Sequence, residues 1–73
     1  MNDKDVRIGE VLRKYRVDSG RSLQYVADLL GVTKASVSYW ETGSRAVNMS
    51  TVVEICEKMG YDKRKFAKDL MDA

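Results

Sequence analysis

Apolar residues along this chain return every three or four positions, and no stretch sustains the every-second-residue alternation of a strand. Such returns mark amphipathic helices, so the pattern predicts an all-α fold, a compact bundle of five short helices. Start and stop residues delimit the five segments. The first runs from about Asp5 to Asp18, with Ile8, Leu12 and Tyr15 on one face, and Gly20 ends it. Ser22 caps the second, whose Leu23, Val26, Ala27 and Leu30 form a continuous stripe before Gly31 stops it in the left-handed conformation. Thr33 caps the third, with Val32 and Val37 placed as a hydrophobic staple, and Gly43 ends it. Asn48 opens the fourth, with a staple from Val47 to Val52; Met49, Val52, Val53, Cys56 and Met59 are its expected buried face, and Gly60 terminates it. Asp62 opens a short fifth helix, with Tyr61 and Phe66 as the staple pair and Leu70 following.

At 73 residues, with 44% apolar and 33% charged, the chain has the make-up of one small globular domain, residues 1–73 with a core from about Val6 to Leu70. Met-Asn-Asp-Lys-Asp carries no apolar stretch of the kind a signal peptide needs, and no apolar run approaches the roughly 20 residues of a membrane helix. A cytoplasmic protein is expected. Cys56 stands alone and histidine is absent, which excludes an intrachain disulfide, a cysteine-histidine zinc site and a histidine-activated nucleophile. No carboxylate pair is placed for catalysis either, so neither an enzyme nor a cofactor or metal site is expected. On the apolar face of the fourth helix, Cys56 reads as a small buried hydrophobe.

The net charge of +2 hides an asymmetry: between Leu29 and Val53 the sole acid is Glu41. A locally acid-poor surface suits a polyanion partner.

The second and third helices are joined only by "LLGVT", too short for antiparallel packing along their length, and a steep helix-turn-helix crossing follows. Ala27 is small where the helices come closest, Gly31 supplies the turn, and Val37 points back into the angle between them. That Ala-x3-Gly-x5-Val spacing is also met by chance in amphipathic helix pairs. The third helix adds a surface made of Lys34, Ala35, Ser38, Tyr39 and Thr42, without the Glu/Lys pairs of an ordinary solvated face.

"IGEVLRKYRVDSG", "VADLLGVTKASVSYWETGSR" and "VVEICEKMGYDKRKF" resemble, in order and spacing, the helices of the phage repressor and Cro-like (Xre-type) DNA-binding family. The resemblance covers nearly the whole chain and implies a lambda-repressor-like domain whose third helix lies in the major groove of double-stranded DNA. It accounts for the unusual third-helix surface, because small residues let the backbone approach the base pairs while hydroxyls, an amine and methyls supply the reading chemistry. Thr33 would then cap the helix and meet a phosphate. Lys34 is placed for guanine or phosphate, with a solvated lysine as the alternative. Ala35 is placed for a thymine methyl, with a plain helix former as the alternative. Ser38 and Tyr39 are the principal base-reading candidates. Thr42, Ser44 and Arg45 would follow the sugar-phosphate backbone, the alternative for Arg45 being a free loop charge. Trp40, spaced with Val37, belongs to the core.

The resemblance also implies an interhelical ion pair between Arg16 and Glu41. Two positions depart from the family pattern. Leu23 stands where many relatives place a phosphate-contacting glutamine, leaving Gln24 as an imperfect substitute. Tyr25 and Leu29 put apolar area on the outer side of the second helix, either as scattered surface hydrophobes or as a contact for another protein. The expected function is a phage- or mobile-element-type transcriptional regulator, repressor or Cro-like, binding an operator of two half-sites as a homodimer. The alternative is a protein-interaction module or antitoxin-like partner that keeps the fold with weak or no DNA binding.

Overall fold

In the computed structural model, which describes residues 2–73, α1 spans Asp3–Asp18, α2 Leu23–Leu30, α3 Lys34–Thr42, α4 Met49–Met59 and α5 Lys63–Met71. No strand occurs among the described residues. Ser22, Thr33, Asn48 and Asp62 each sit in extended conformation and accept a hydrogen bond from a backbone N–H in the first turn of α2, α3, α4 and α5 respectively. These caps satisfy donors that a helix start leaves unpaired. α1 begins two residues earlier than the apolar pattern indicates. Asn2 accepts from the Lys4 N–H, and Asp3 and Asp5 occupy the first turn, where negative charge suits the helix dipole.

The helices bury two adjoining apolar clusters. Leu12, Val52, Ile55, Cys56 and Phe66 form the larger, from α1, α4 and α5; Val26, Ala27 and Val37 form the smaller, inside the helix-turn-helix angle. Trp40, Leu30 and Met59 pack against both, so Trp40 is a core residue that joins the two clusters. Phe66 is almost completely enclosed, and full burial of such a ring stabilises the fold by about 1.5–3 kcal/mol. Around it Tyr15 and Tyr61 close an aromatic trio, with the Tyr61–Phe66 staple at 5.3 Å between ring centroids.

Three expected core positions lie elsewhere. Met49 is 73% and Val53 47% exposed, and Ile55 takes the inner position instead. The apolar positions of α4 cover a wide arc, and the side that carries Val52, Ile55, Cys56 and Met59 is the one packed into the core, against α2 and α5 and the α1 side chain Leu12. Val32 is exposed and stands outside the cluster that holds Val37. Its N–H instead closes the end of α2 by bonding the Ala27 carbonyl, while Gly31 takes φ 70°.

α1 packs most extensively against α3, and that contact sets the attitude of the third helix. Gly9 makes it possible, because a Cβ there would lie 2.4 Å from the Trp40 carbonyl oxygen and 2.5 Å from that of Glu41.

Candidate nucleic-acid interface

The Gly31 turn holds α2 and α3 at the angle that Ala27, fully buried, and Val37 fill from inside. With Val37 and Glu41 turned inward, the opposite side of α3 faces solvent. Thr33, Lys34, Ala35, Tyr39 and Thr42 are exposed there, and Ser38 is half-buried at the flank of the same surface. Thr33 Oγ1 accepts from the Ser36 N–H at 3.1 Å and lies 2.9 Å from the Ser36 hydroxyl. Lys34 makes no hydrogen bond or ion pair among the described residues, so its ammonium is available to a ligand.

The end of α3 is shaped by Gly43, at φ 79°, where a Cβ would come within 2.6 Å of the Val6 backbone. Beyond it, the Arg45 N–H bonds the Tyr39 carbonyl at 3.2 Å, and the Arg45 guanidinium lies 4.8 Å above the centre of the Tyr39 ring. Such a cation–π contact at an exposed site is worth about 0.5–1 kcal/mol. Thr42 and Ser44 hydroxyls lie 2.9 Å apart in the same turn. Tyr39 and Arg45, and Thr42 and Ser44, are therefore brought together as one exposed corner at the end of α3.

The candidate residues of α2 are placed differently. Gln24 is exposed, and its side-chain amide donates to Asp28 at 2.8 Å. Leu23 is half-buried against the smaller cluster, which gives a core reason for an apolar residue at that position. Tyr25 is exposed, with the Arg21 guanidinium 4.5 Å from its ring centre. Leu29 is half-buried, and its carbonyl accepts a hydrogen bond from Lys58 at 3.2 Å, tying the end of α2 to α4.

Arg16 and Glu41 fix α3 from behind. Arg16 donates from Nε to Glu41 Oε2 at 2.6 Å and from Nη2 to Oε1 at 3.0 Å, and its Nη1 donates to the Arg21 carbonyl at 2.8 Å. The two side chains are 14% and 7% exposed. Hydrogen bonding to Glu41 raises the guanidinium's pKa above its ordinary value, against the lowering effect of burial. This planar two-bond geometry holds α1, the α1–α2 loop and α3 in one arrangement. It also removes the only acid of the 29–53 segment from the surface.

Sequence reasoning did not anticipate Gly9, Asn2, Lys58 or the polar link between α1 and α5. In that link Tyr15 donates to Asp69, and Lys65 donates to both at 3.2 Å. A glycine inside an amphipathic helical pattern was the available signal for Gly9. The α1–α5 link spans more than fifty residues and has no local signature. Among the described residues no cluster could hold a metal ion, and no helix is long and apolar enough to cross a membrane.

A two-helix corner whose second helix turns its single acid inward and exposes a face free of acids defines a protein of the DNA-binding helix-turn-helix class. A helix-turn-helix family model matches residues 12–66, and the chain belongs to that family, in its Cro/C1-type form. Among solved structures it is similar to the crystal structure of the clp gene regulator ClgR from C. glutamicum. The TM-score is 0.85, over 99% of this chain and 94% of that one, at 21% sequence identity, a likeness of fold. No curated protein sequence matches the chain.

Proposed function

We propose that this protein is a transcriptional regulator of the phage repressor or Cro kind, acting in the cytoplasm, that binds double-stranded operator DNA with α3 in the major groove. The observation that carries this reading is electrostatic and steric at once. The outer face of α3 is exposed and built largely from small polar groups, and the helix's own single acid, Glu41, is turned inward onto Arg16. A helix with that face can approach a base-pair floor without repelling it.

In this reading Lys34, Ala35, Ser38 and Tyr39 face base edges. Thr33 at the helix start, and Thr42, Ser44 and Arg45 at its end, meet sugar and phosphate, with Gln24 as a further backbone contact from α2. One such module touches few bases, so specificity calls for two copies on half-sites about 34–36 Å apart.

A salt titration on duplex DNA tests the proposal. Each neutralised phosphate releases counterions, giving a slope near −0.9 per contact in log affinity against log salt. Steep weakening with salt is the expected result. Affinity that is absent, or flat with salt, overturns the proposal in favour of a protein-interaction module, whose outer surface would include Tyr25.

A further inference from the structure

We propose that the outer face of α3 discriminates its DNA chiefly by the 5-methyl groups of pyrimidines, so that 5-methylcytosine is accepted where the preferred site carries thymine. The inference rests on the proposed function and deepens it, by naming the chemical feature through which that face tells one half-site from another.

α3 holds no Asn, Gln or Arg, the side chains that read adenine or guanine through two parallel hydrogen bonds. The flanking ones are engaged within the chain. Gln24 donates its amide to Asp28 at 2.8 Å, and the Arg45 guanidinium lies 4.8 Å over the Tyr39 ring. The Thr42 hydroxyl is taken by the Tyr39 carbonyl and by Ser44. What the face leaves for hydrogen bonding is the Lys34 ammonium and the hydroxyls of Ser38 and Tyr39, all single-point groups. An ammonium only donates, which suits guanine. A hydroxyl donates and accepts, so it meets the thymine carbonyl and the cytosine amino group alike.

Apolar surface separates thymine from cytosine where hydroxyls do not. Ala35 and Tyr39 are both exposed, Tyr39 to 41%, and stand one helical turn apart. Residues four apart on a helix bring their Cβ atoms to about 5–6 Å, a distance that spans one to two base-pair steps of about 3.4 Å. A methyl and a ring therefore form an apolar row beside the polar row of Lys34 and Ser38. The Arg45 stack, with the bond from its N–H to the Tyr39 carbonyl, restrains the ring in that row. In the major groove the apolar feature such a row meets is the pyrimidine 5-methyl group. Thymine carries it and 5-methylcytosine shares it, whereas cytosine and uracil lack it.

The test uses the duplex that the wild-type chain binds best from a random library, made again with deoxyuridine in place of every thymidine. Each methyl withdrawn from contact should weaken binding about fourfold, and the full replacement about tenfold or more. Single replacements should trace the loss to thymidines one or two base pairs apart. At those positions deoxycytidine should weaken binding, and 5-methyldeoxycytidine should recover most of the loss. Tyr39→Ala and Ala35→Gly should each abolish the thymidine-to-deoxyuridine difference at one of these positions and keep it at the other. Each variant is compared with itself on two duplexes, so a change in its folding or general affinity cancels.

A wild-type chain that binds the thymidine and deoxyuridine duplexes equally well overturns the proposal and leaves the DNA reading standing. So does 5-methyldeoxycytidine that binds no better than deoxycytidine, or a methyl difference that survives unchanged in both variants. A chain that binds no duplex of any kind overturns the DNA reading and this inference with it, so the two failures are distinct.

Discussion

Gly9 and Trp40 meet closely enough to exclude any side chain at position 9: a Cβ would stand 2.4 Å from the Trp40 carbonyl oxygen. The obstacle is backbone, so a rotamer change cannot relieve it, and α1 would have to move away from the end of α3. Gly9→Ala gains about 1 kcal/mol of intrinsic helix propensity and should nevertheless lower stability, by about 1–3 kcal/mol net. Urea unfolding followed by Trp40 fluorescence checks this. The expected outcome is a lower midpoint with an unchanged slope.

The Arg16–Glu41 pair should behave as a buried ion pair. Glu41→Ala leaves a largely enclosed guanidinium with only the Arg21 carbonyl, and Arg16→Ala strands a carboxylate that is 7% exposed. Each should cost about 3–5 kcal/mol, as expected for breaking an enclosed pair. Replacing both by Met and Leu should cost less than either single change, because no charge is then abandoned. Thermal unfolding of the three variants gives the comparison.

The α1–α5 link predicts a pH dependence. Hydrogen bonds from Tyr15 and then Lys65 hold the Asp69 carboxyl below the usual carboxylate range. A carboxyl lowered in the folded state contributes stability that is complete above its unfolded value, near pH 3.9, and is lost as pH falls through the folded value. The stability difference between wild type and Asp69→Asn should therefore be constant from neutral pH down to about pH 5 and shrink below about pH 4. Denaturant midpoints measured at several pH values decide it; a difference that grows on acidification contradicts the assignment.

On DNA, the exposed residues of α3 should divide by role. Arg45→Ala should weaken every duplex by a similar factor, whereas Ser38→Ala and Tyr39→Ala should change which sequence is preferred, by about 1–3 kcal/mol per lost base contact. Tyr39 and Arg45 are in contact, so their double variant should be non-additive, with a coupling of about 0.5–1 kcal/mol. Competition binding on specific and random duplexes measures both effects.

Most of the frame was legible because it is written in local chemistry. Ser22, Thr33, Asn48 and Asp62 announce helix starts, and Gly31, Gly43 and Gly60 announce ends, each within one turn of the residues they serve. The helix-turn-helix corner could be read from Ala27, Gly31 and Val37 because their spacing is short and their sizes matter. The inner face of α4 was less legible. Met49, Val52, Val53, Ile55, Cys56 and Met59 cover so wide an arc that periodicity alone does not say which side turns inward. The outer surface of α3 was readable as unusual, but the stacking of Arg45 on Tyr39 and the half-burial of Ser38 depend on how the Gly43 turn folds back. The Tyr15–Asp69–Lys65 link depends on the docking of α5, which no single segment specifies.

The most direct test is selection of binding sites from a random double-stranded library, by the wild-type chain and by its Tyr39→Ala variant in parallel. Wild type should enrich a two-fold-related pair of half-sites whose centres lie about one helical turn, roughly 34–36 Å, apart. The variant should enrich an altered sequence at the same spacing. Enrichment of no sequence by the wild type, or of an identical sequence by both proteins, would contradict the claim that the outer face of α3 reads DNA.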